Sequence, residues 1–346
     1  MGKLPDSSSP VKRLNLYLYP FGLTFLEDGT VEVEVEEREF WKRLAGIKNG
    51  KYKRLRERVG RYFAKKGEVD FTKIKPRLEL IQAEKDSRRR RVLREIFQYA
   101  KSFWSVPVSE GVGRRMDFIL WDWNAKKVMG IFGLSDPVFS LSVRDRFIGW
   151  SLEEKKRGLK RLLTAYILGA VPPYNEILGA KLVALASTSK EVAELFRKFY
   201  KEELLAVDTM GAFGKSAIYT RLKGWKFIGY TKGYTHLHFT LTPAFDFLIE
   251  KLKEEGISKK EWNSLSLTNS RIRLVKKALS LMGLKGNKPF CLNLKRGYYF
   301  APLCENFKEA LKGKELPLTN AESFEEKVAY WKERWLIKRL KLTGRG

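Results

Sequence analysis

The hydrophobic pattern in the middle of the chain alternates between short runs of β-branched and aromatic residues and longer runs with helical spacing. The short runs predict strands at residues 116–123, 129–132, 147–150, 204–209 and 226–230. The longer runs predict helices at residues 152–168 and 177–198, with a helix-like segment at 216–222. This alternation predicts an α/β fold with a mixed-sheet core over residues 104–240.

The region before this core is predicted to be basic and mainly helical. Residues 1–10 have the composition of a flexible tail, and the alternation from Val31 to Glu36 predicts a strand with one acidic, solvated face. From Arg38 to Lys101 the spacing is helical, and 22 Lys and Arg residues stand against 8 Asp and Glu, a local net charge of +14. A solvated helix face would explain such charge, but an excess of one sign favours a phosphate-binding surface in this stretch. The predicted basic N-terminal region as a whole comprises residues 11–103.

The region after the core predicts a second basic module. Helical spacing is found at residues 243–254, 259–265 and 269–281, and two strand-like runs, 291–294 and 298–301, flank a turn with a basic tip, Lys295-Arg296-Gly297. Three helices followed by a basic hairpin predict a winged-helix-like module over residues 241–312. A basic amphipathic helix at 321–342 is expected to close the chain within residues 313–346.

The amino-acid composition indicates that the protein binds a polyanionic ligand. The 346 residues include 68 Lys and Arg against 40 Asp and Glu, a net charge of +28, which favours nucleic acid first and an anionic lipid surface second. The chain has no apolar run of 18 residues and no visible signal peptide, so we expect a cytoplasmic protein without a membrane span. Cys291 and Cys304 make neither a disulfide framework nor a zinc site. A surplus of Lys and Glu with two glutamines is a thermophile-like bias.

Five stretches have an unusually specific composition, with charged residues and glycines beside aromatic residues. They are Trp104 to Ser109 with Gly113 to Arg115; Leu134 to Phe139 with Arg144 to Trp150; Leu168 to Tyr174 with Leu178 to Ala184; Phe213 to Leu222 with Gly229 to Tyr234; and Lys295 to Asn306. Together they resemble the DruA family, named from a component of the Druantia anti-phage defence system. The resemblance covers roughly residues 75–312.

The resemblance implies a role in DNA-centred conflict, in anti-phage defence or beside a mobile element. It implies partners such as a helicase or other subunits of a defence system, and it carries no catalytic residues over to this chain. His238 stands where the family usually has histidine, whereas Thr235 and His236 stand where it usually has glycine and a small or aromatic residue.

Two carboxylates in one strand-loop-strand segment suggest metal chemistry. Asp136 and Asp145 together could hold Mg²⁺ or Mn²⁺ for phosphodiester cleavage or strand transfer, with Arg144 steadying the phosphate. The alternative is that Arg144 and Asp145 form a structural ion pair that fixes the loop. Tyr219 and His238 complete the candidate catalytic set if the fold brings all four side chains to one pocket.

The only two histidines of the chain, His236 and His238, would face the same side of a strand. They could therefore hold a divalent metal, as in rolling-circle nickases with a His-hydrophobic-His signature, with Tyr330 as the candidate nucleophile. The alternative is that two polar rings share a strand end by chance.

A third interpretation rests on layout. The order of the predicted elements resembles the acetyltransferase (GNAT) architecture. These elements are the strand at Gly130, the helix opened by Leu178-Gly-Ala-Lys181, the strand at Leu205 and the late Tyr219. Acyl transfer would then use backbone amides at the helix start for pyrophosphate and Tyr219 as an acid, although Lys181 stands where that turn expects a small residue.

Basic residues within these segments are the predicted nucleic-acid contacts, with DNA as the favoured ligand. The turn Gly214-Lys215-Ser216 lacks the first glycine of a P-loop, but its backbone amides could hold a single phosphate. The full predicted set is Arg88, Arg89, Arg90, Arg91, Arg114, Arg115, Arg144, Lys181, Lys215, Arg221, Arg271, Arg273, Lys276, Lys295 and Arg296.

Overall fold

A computed structural model describes residues 9–27, 31–33, 39, 43, 49–104, 111, 113–211, 214–231, 242–257, 270–284 and 295–344. The strands are β1 Leu23–Phe25, β2 Val31–Val33, β3 Pro76–Leu80, β4 Arg115–Asp122, β5 Lys127–Ser135, β6 Leu162–Ala170, β7 Ala206–Met210, β8 Lys226–Tyr230 and β9 Gly297–Pro302. The helices are α1 Pro10–Leu18, α2 Asn49–Val59, α3 Ser87–Ala100, α4 Ser142–Ile148, α5 Leu152–Gly158, α6 Gly179–Ala186, α7 Lys190–Tyr200, α8 Pro243–Glu254, α9 Ser270–Leu281, α10 Phe307–Lys312, α11 Phe324–Trp331 and α12 Ile337–Thr343. A π-helical turn, Lys332–Leu336, joins α11 to α12.

The chain divides into two compact units. The first contains Met1–Asn49, Ser105–Pro107 and Lys232–Lys295, and the second contains Gly50–Trp104, Val108–Thr231 and Arg296–Gly346. This division does not test the domain boundaries predicted from the sequence, which stay predictions.

In the first unit, a buried asparagine ties α1 to the short β1–β2 ladder. The Asn15 side-chain amide donates to the carbonyl oxygen of Phe25 at 2.9 Å, and the Phe25 amide donates back to Asn15 Oδ1 at 2.7 Å. Tyr17 stacks on Phe247 of α8 with ring centroids 5.0 Å apart, and α8 packs on α9. The side chain of Asn15 thus satisfies strand-end groups that would otherwise be buried without a partner.

The second unit is built on a mixed sheet of seven strands in the order β3-β4-β5-β6-β7-β9-β8. β6 and β7 run parallel and pair only through Leu162–Thr164 and Ala206–Asp208, whereas every other described ladder of this sheet is antiparallel. The predicted α/β class with a mixed sheet is therefore confirmed.

Helices cover both faces of the sheet. Phe118 and Phe132 face the core that contains α6 and α7, and their rings stack at 4.6 Å. Ile119 and Ile131, one residue away on the same strands, face the opposite core with Phe97 of α3. Because both faces are buried, these strands are almost continuously apolar instead of alternating.

Continuous apolarity explains where the sequence prediction is wrong. Residues 152–168 were predicted as one helix, but α5 ends at Gly158 and the run from Leu162 to Ala170 is the buried strand β6. The helix predicted at 177–198 is two helices separated at Ser187–Ser189, and the strand predicted at 147–150 is wrong because α4 occupies that stretch up to Ile148.

Some of the other predicted elements are confirmed and others are wrong. The strand at 226–230 and the helix at 243–254 are confirmed to the residue. Residues 216–222 form turns instead of a helix, and the edge strand β3 interrupts the predicted helical region 38–101. The strand predicted at 298–301 lies within β9, which pairs with β7 on one edge and with β8 on the other. The partner strand predicted at 291–294 lies outside the described residues, so the winged-helix-like module stays a prediction.

A glycine in β5 tests the packing of the sheet. A Cβ added at Gly130 would lie 2.5 Å from the carbonyl oxygen of Gly169 and 2.6 Å from Val183 Cγ2. We expect Gly130→Ala to lower the free energy of unfolding by about 2 kcal/mol, because the backbone of β6 must shift. Gly60→Ala, whose Cβ meets Arg56 Cγ at an ordinary 3.5 Å, is the control and should be neutral or slightly stabilising. Equal urea midpoints for both variants would contradict this packing.

Candidate functional site

The predicted metal ligand Asp145 is surrounded by hydrogen-bond donors. Its carboxylate accepts from Arg144 Nη2 at 3.0 Å, Lys155 Nζ at 2.7 Å, Trp150 Nε1 at 3.2 Å and the Leu141 amide at 3.3 Å. Burial alone raises the pKa of the Asp145 carboxyl, but Lys155 and Arg144 outweigh it and lower the pKa overall. Two cations at the carboxylate do not suit a divalent metal, so the structural ion pair is the alternative that the geometry supports.

Arg144 is buried completely and is not available to a phosphate. Besides Asp145, its guanidinium donates to the carbonyl oxygens of Val138 and Phe139, each at 2.9 Å. These bonds fix the loop between β5 and α4, which presents Val138 and Phe139 half exposed. The predicted phosphate contact at Arg144 is therefore wrong.

Asp136 is paired in the same manner but closer to the surface. It accepts from the Arg114 amide at 3.0 Å and from Arg114 Nε at 2.7 Å. Arg114 also donates to the Lys160 carbonyl oxygen at 2.6 Å, and its guanidinium lies 5.0 Å from the ring of Phe196. Across the described ranges, no group of three His, Cys, Asp or Glu side chains could hold a metal ion. His236 and His238 lie outside the described residues, and their metal role stays a prediction.

A buried carboxyl that sequence reasoning missed lies where β6 meets β7. Asp208 is 1% exposed, accepts from Tyr298 Oη at 2.8 Å and is hydrogen-bonded to the Thr164 hydroxyl. Burial raises its pKa above the ordinary value of 3.8, although Arg144 acts in the opposite direction. The residue stood inside a strand-like run, Val207-Asp208-Thr209, and a charged residue in such a run was the one available signal.

The residues proposed for acyl transfer are engaged inside the fold. Tyr219 is 6% exposed, and its ring lies 4.9 Å from that of Trp225 and 4.5 Å from that of Tyr299. Burial raises the pKa of Tyr219 well above its usual range. A phenol held this way is poorly placed to donate a proton to a substrate at neutral pH.

Lys181 stabilises the turn that carries Tyr219. Its ammonium donates to the carbonyl oxygens of Ala217, Ile218 and Thr220 at 2.8–2.9 Å. Desolvation, together with Arg221, lowers the pKa of Lys181 to about 8. All three donors of the ammonium are used, so the predicted phosphate contact at Lys181 is wrong.

The arginine run at the start of α3 is only partly neutralised. Arg89 forms ion pairs with two glutamates at 2.6 and 2.7 Å, and Arg90 Nε donates to a backbone carbonyl oxygen at 2.7 Å. Arg91 lies 3.5 Å from Glu95, which it shares with a second arginine. The Arg88 side chain is exposed and forms no ion pair within the described part of the chain.

Helices α2 and α3 border a groove of about 680 Å³, which we name the arginine groove. Arg54 and Arg58 line it from α2, and Arg91 and Arg94 line it from α3. Its remaining lining residues are Leu55, Glu95 and Gln98. Four guanidinium groups therefore face one carboxylate, and Arg54 and Arg94 have no ion pair among the described residues.

The arginine groove contains residues absent from the predicted set. Arg54, Arg58 and Arg94 were not predicted individually, although they lie in the basic stretch 38–101 that was predicted to bind phosphate. Arg54 and Arg58 on α2, and likewise Arg91, Glu95 and Gln98 on α3, are spaced three to four residues apart. That spacing puts each set on one face of its helix. A search for one-signed helix faces would have found them.

The remaining predicted contacts are not lining residues of the arginine groove. Arg115 is ion-paired with Asp117, and the Lys215 ammonium lies over the ring of Phe227 at 4.7 Å. Arg221, Lys276 and Lys295 are exposed and Arg296 is half buried. The side chains of Arg271 and Arg273 lie outside the described residues.

Comparison with known proteins identifies the family. The family model described as Druantia protein DruA matches residues 37–313. Druantia protein DruA of Escherichia coli (strain UMEA 4076-1) is 31% identical over 356 aligned positions, which cover 95% of this chain and 86% of that protein. The chain belongs to the DruA family. No solved structure matches it significantly, and helices with both the length and the apolar character needed to traverse a bilayer are absent from the described ranges.

The family membership confirms the resemblance seen in the sequence, and it points to a component of anti-phage defence. The matched range begins before α2 and ends after α10, so both helices of the arginine groove lie inside the DruA region.

The opposite pKa shifts of two aspartates predict opposite pH effects. The raised pKa of Asp208 means that the folded chain keeps a proton that the unfolded chain loses near pH 4. Stability from Asp208 is therefore full below that pH and is lost as pH rises through the folded pKa. The free energy of unfolding of Asp208→Asn, minus that of the natural chain, is expected to rise as the pH increases above about 4.

Asp145→Asn is the control, because its stability should change with pH in the opposite direction. Stability from a carboxyl with a lowered pKa is present above its unfolded pKa and is lost as pH falls through the folded pKa. For this variant the same difference should therefore decrease as pH rises through the acid range below about pH 4. Urea unfolding at a series of pH values measures both, and a flat or falling difference for Asp208→Asn would contradict the buried carboxyl.

Proposed function

We propose that this DruA-family chain is a nucleic-acid-binding component of an anti-phage defence system, and that DNA lies in the arginine groove. The observation that carries the proposal is the convergence of four guanidinium groups on a groove with a single carboxylate. Other subunits of the system, such as a helicase, supply the enzymatic steps.

The charge at the arginine groove supports a phosphate ligand. Arg58 lies 3.2 Å and Arg91 3.5 Å from Glu95, so one negative charge serves both. Arg54 and Arg94 add two further charges and are exposed. Like charges that line one groove repel one another, and a phosphate backbone that enters the groove reduces that repulsion while it releases bound counterions. Guanidinium groups also match phosphate oxygens in pairs of hydrogen bonds.

A double substitution tests this surface. We expect Arg54→Gln with Arg94→Gln to weaken binding of a DNA duplex roughly tenfold at 0.1 M salt. The slope of log affinity against log salt should fall by about 2, since each lost phosphate contact removes about 0.9. Fluorescence anisotropy across a salt series with the full-length chain measures both quantities.

The matched control removes the same charge elsewhere on the second unit. Arg157 and Lys160 are exposed and form no ion pair within the described part of the chain, so Arg157→Gln with Lys160→Gln changes net charge equally. The proposal requires the control to keep its affinity and slope. Equal losses for both doubles would mean that charge, not the groove, governs binding.

Binding without cleavage is the function that the described carboxylates support. Asp145 is saturated by donors and Asp136 by Arg114, so neither enters the proposal as a metal ligand for Mg²⁺ or Mn²⁺. The rolling-circle nickase interpretation depends on His236 and His238 and stays a prediction.

The layout of the second unit supports an acetyltransferase-like architecture at the level of fold. The helices α6, opened by Gly179, and α7 connect β6 to β7, and these two strands are parallel and pair through Leu162–Thr164 and Ala206–Asp208. We infer a shared layout without acyl transfer, because Lys181 and Tyr219 are both engaged in internal contacts.

Acetyl-CoA therefore should not bind. We expect 1 mM acetyl-CoA to leave the thermal midpoint of the chain unchanged. A dissociation constant of about 10 µM would instead add about 2.7 kcal/mol at that concentration and raise the midpoint by a few degrees. A reproducible rise in the thermal midpoint, produced by both acetyl-CoA and desulfo-CoA, would show cofactor binding. It would contradict the inference that the layout is shared without acyl transfer.

A further inference from the structure

A second concavity, which we name the aromatic pocket, lies on the other side of α3 from the arginine groove. It has a volume of about 540 Å³ and is lined by aromatic rings from Tyr62, Trp121 and Trp123. Val92 and Ile96 of α3 contribute apolar walls, and the rim carries cations. A cavity of this size and composition fits a planar aromatic ligand that bears negative charge.

Trp123 is the unusual member of this pocket. It lies in the turn between β4 and β5 and is 37% exposed, whereas Trp121 is 6% exposed and donates from Nε1 to Glu79 at 2.7 Å. The Arg77 guanidinium carbon lies 4.3 Å and the Lys126 ammonium 3.5 Å from the centroid of Trp123. The hydrophobic core does not require an indole at this position. A base that stacks on the indole would displace the Lys126 ammonium from the ring face, which frees Lys126 to meet a flanking phosphate.

Two of the three cations at the rim, Arg88 and Lys126, are available to a phosphate group. Arg88, Arg89 and Lys126 line the pocket, and Arg89 is already held by two glutamates. Arg88 and Lys126 are exposed and form no ion pair within the ranges that the structure describes. The one carboxylate of the lining, Asp86, already accepts from the Arg88 backbone amide at 3.0 Å.

We propose that the aromatic pocket receives one unpaired base of a nucleic-acid strand, stacked on Trp123, with the flanking phosphates on Arg88 and Lys126. The proposal rests on the proposed function and adds to the arginine groove a second subsite that only strands with unstacked bases can fill. In a duplex both faces of each base are covered, so only a single-stranded or extruded nucleotide offers the face that an indole binds.

The position of α3 supports a continuous path for the strand. One helix supplies Arg91 and Arg94 to the arginine groove, and Arg88 and Val92 to the aromatic pocket. Arg88 and Arg91 are three residues apart, hence neighbours on the helix surface. A strand that leaves the arginine groove can therefore place its next base in the aromatic pocket.

The test compares single-stranded and duplex DNA of the same sequence, with the full-length chain and fluorescence anisotropy. We expect Trp123→Ala to weaken single-strand binding about tenfold and to change duplex binding less than about twofold. Trp123→Phe should restore most of the loss because it keeps an aromatic face. Phe199→Ala is the control, since Phe199 is similarly exposed at 41% but lies on α7.

Each outcome distinguishes the pocket from the proposed function. If the natural chain binds neither DNA, the proposed function fails and the pocket with it. If Arg54→Gln with Arg94→Gln weakens binding but Trp123→Ala does not, the groove stands and the pocket is wrong. Equal losses on single strand and duplex, or a loss for Phe199→Ala as large as for Trp123→Ala, would also overturn it.

A free mononucleotide is the other source of the same chemistry. A thermal-shift assay with 1 mM of the deoxynucleotide dTMP tests whether the aromatic pocket binds a free mononucleotide. A midpoint rise in the natural chain that Trp123→Ala abolishes, with oligonucleotide affinity equal in both, would overturn the strand proposal in favour of a free-nucleotide site. Loss of oligonucleotide affinity in Trp123→Ala without any effect of dTMP supports the strand.

Discussion

The parallel contact between β6 and β7 is the constraint on which the second unit depends. Three residue pairs, Leu162–Thr164 with Ala206–Asp208, join an antiparallel half-sheet, β3 to β6, to a second one formed by β7, β9 and β8. A parallel connection needs a long crossover, and α6 and α7 supply it while they bury one face of the sheet. Asp208 lies at this seam and is bonded to Thr164 on one neighbouring strand and to Tyr298 on the other. The chain thus places a costly buried carboxyl where it links three strands.

The described cationic side chains include two groups, those that are bonded to acceptors inside the fold and those that are exposed without an ion pair. Inside the second unit, Arg144 is matched by Asp145 and two carbonyl oxygens, and Lys181 by three carbonyl oxygens. These cations are part of the fold. On the outer helices α2 and α3, Arg54 and Arg94 have no such match, so their charge is available to a ligand. Within the net charge of +28, the exposed guanidinium groups of the arginine groove are the part that the proposed function uses.

The sequence predicted this fold unevenly, for physical reasons. The strand β8 and the helix α8 have clear periodicity and were predicted to the residue, whereas β6 is buried on both faces and its apolar run Leu162 to Ala170 looks the same as a buried helix. The one-signed faces of α2 and α3 could have been read from their spacing. The role of Lys181 could not, because its carbonyl partners lie 36 to 39 residues away in the chain. Nor could the donors around Asp145, since Lys155 reaches it from the next helix.

The measurement that tests the central claim most directly is photo-crosslinking of the full-length chain to an oligonucleotide that carries 4-thiothymidine, followed by mass spectrometry of the crosslinked peptides. The claim is that nucleic acid lies along α2 and α3, so crosslinked peptides should come from residues 49–62 and 87–98. Crosslinks confined to other parts of the chain, with none in these two helices, would contradict it.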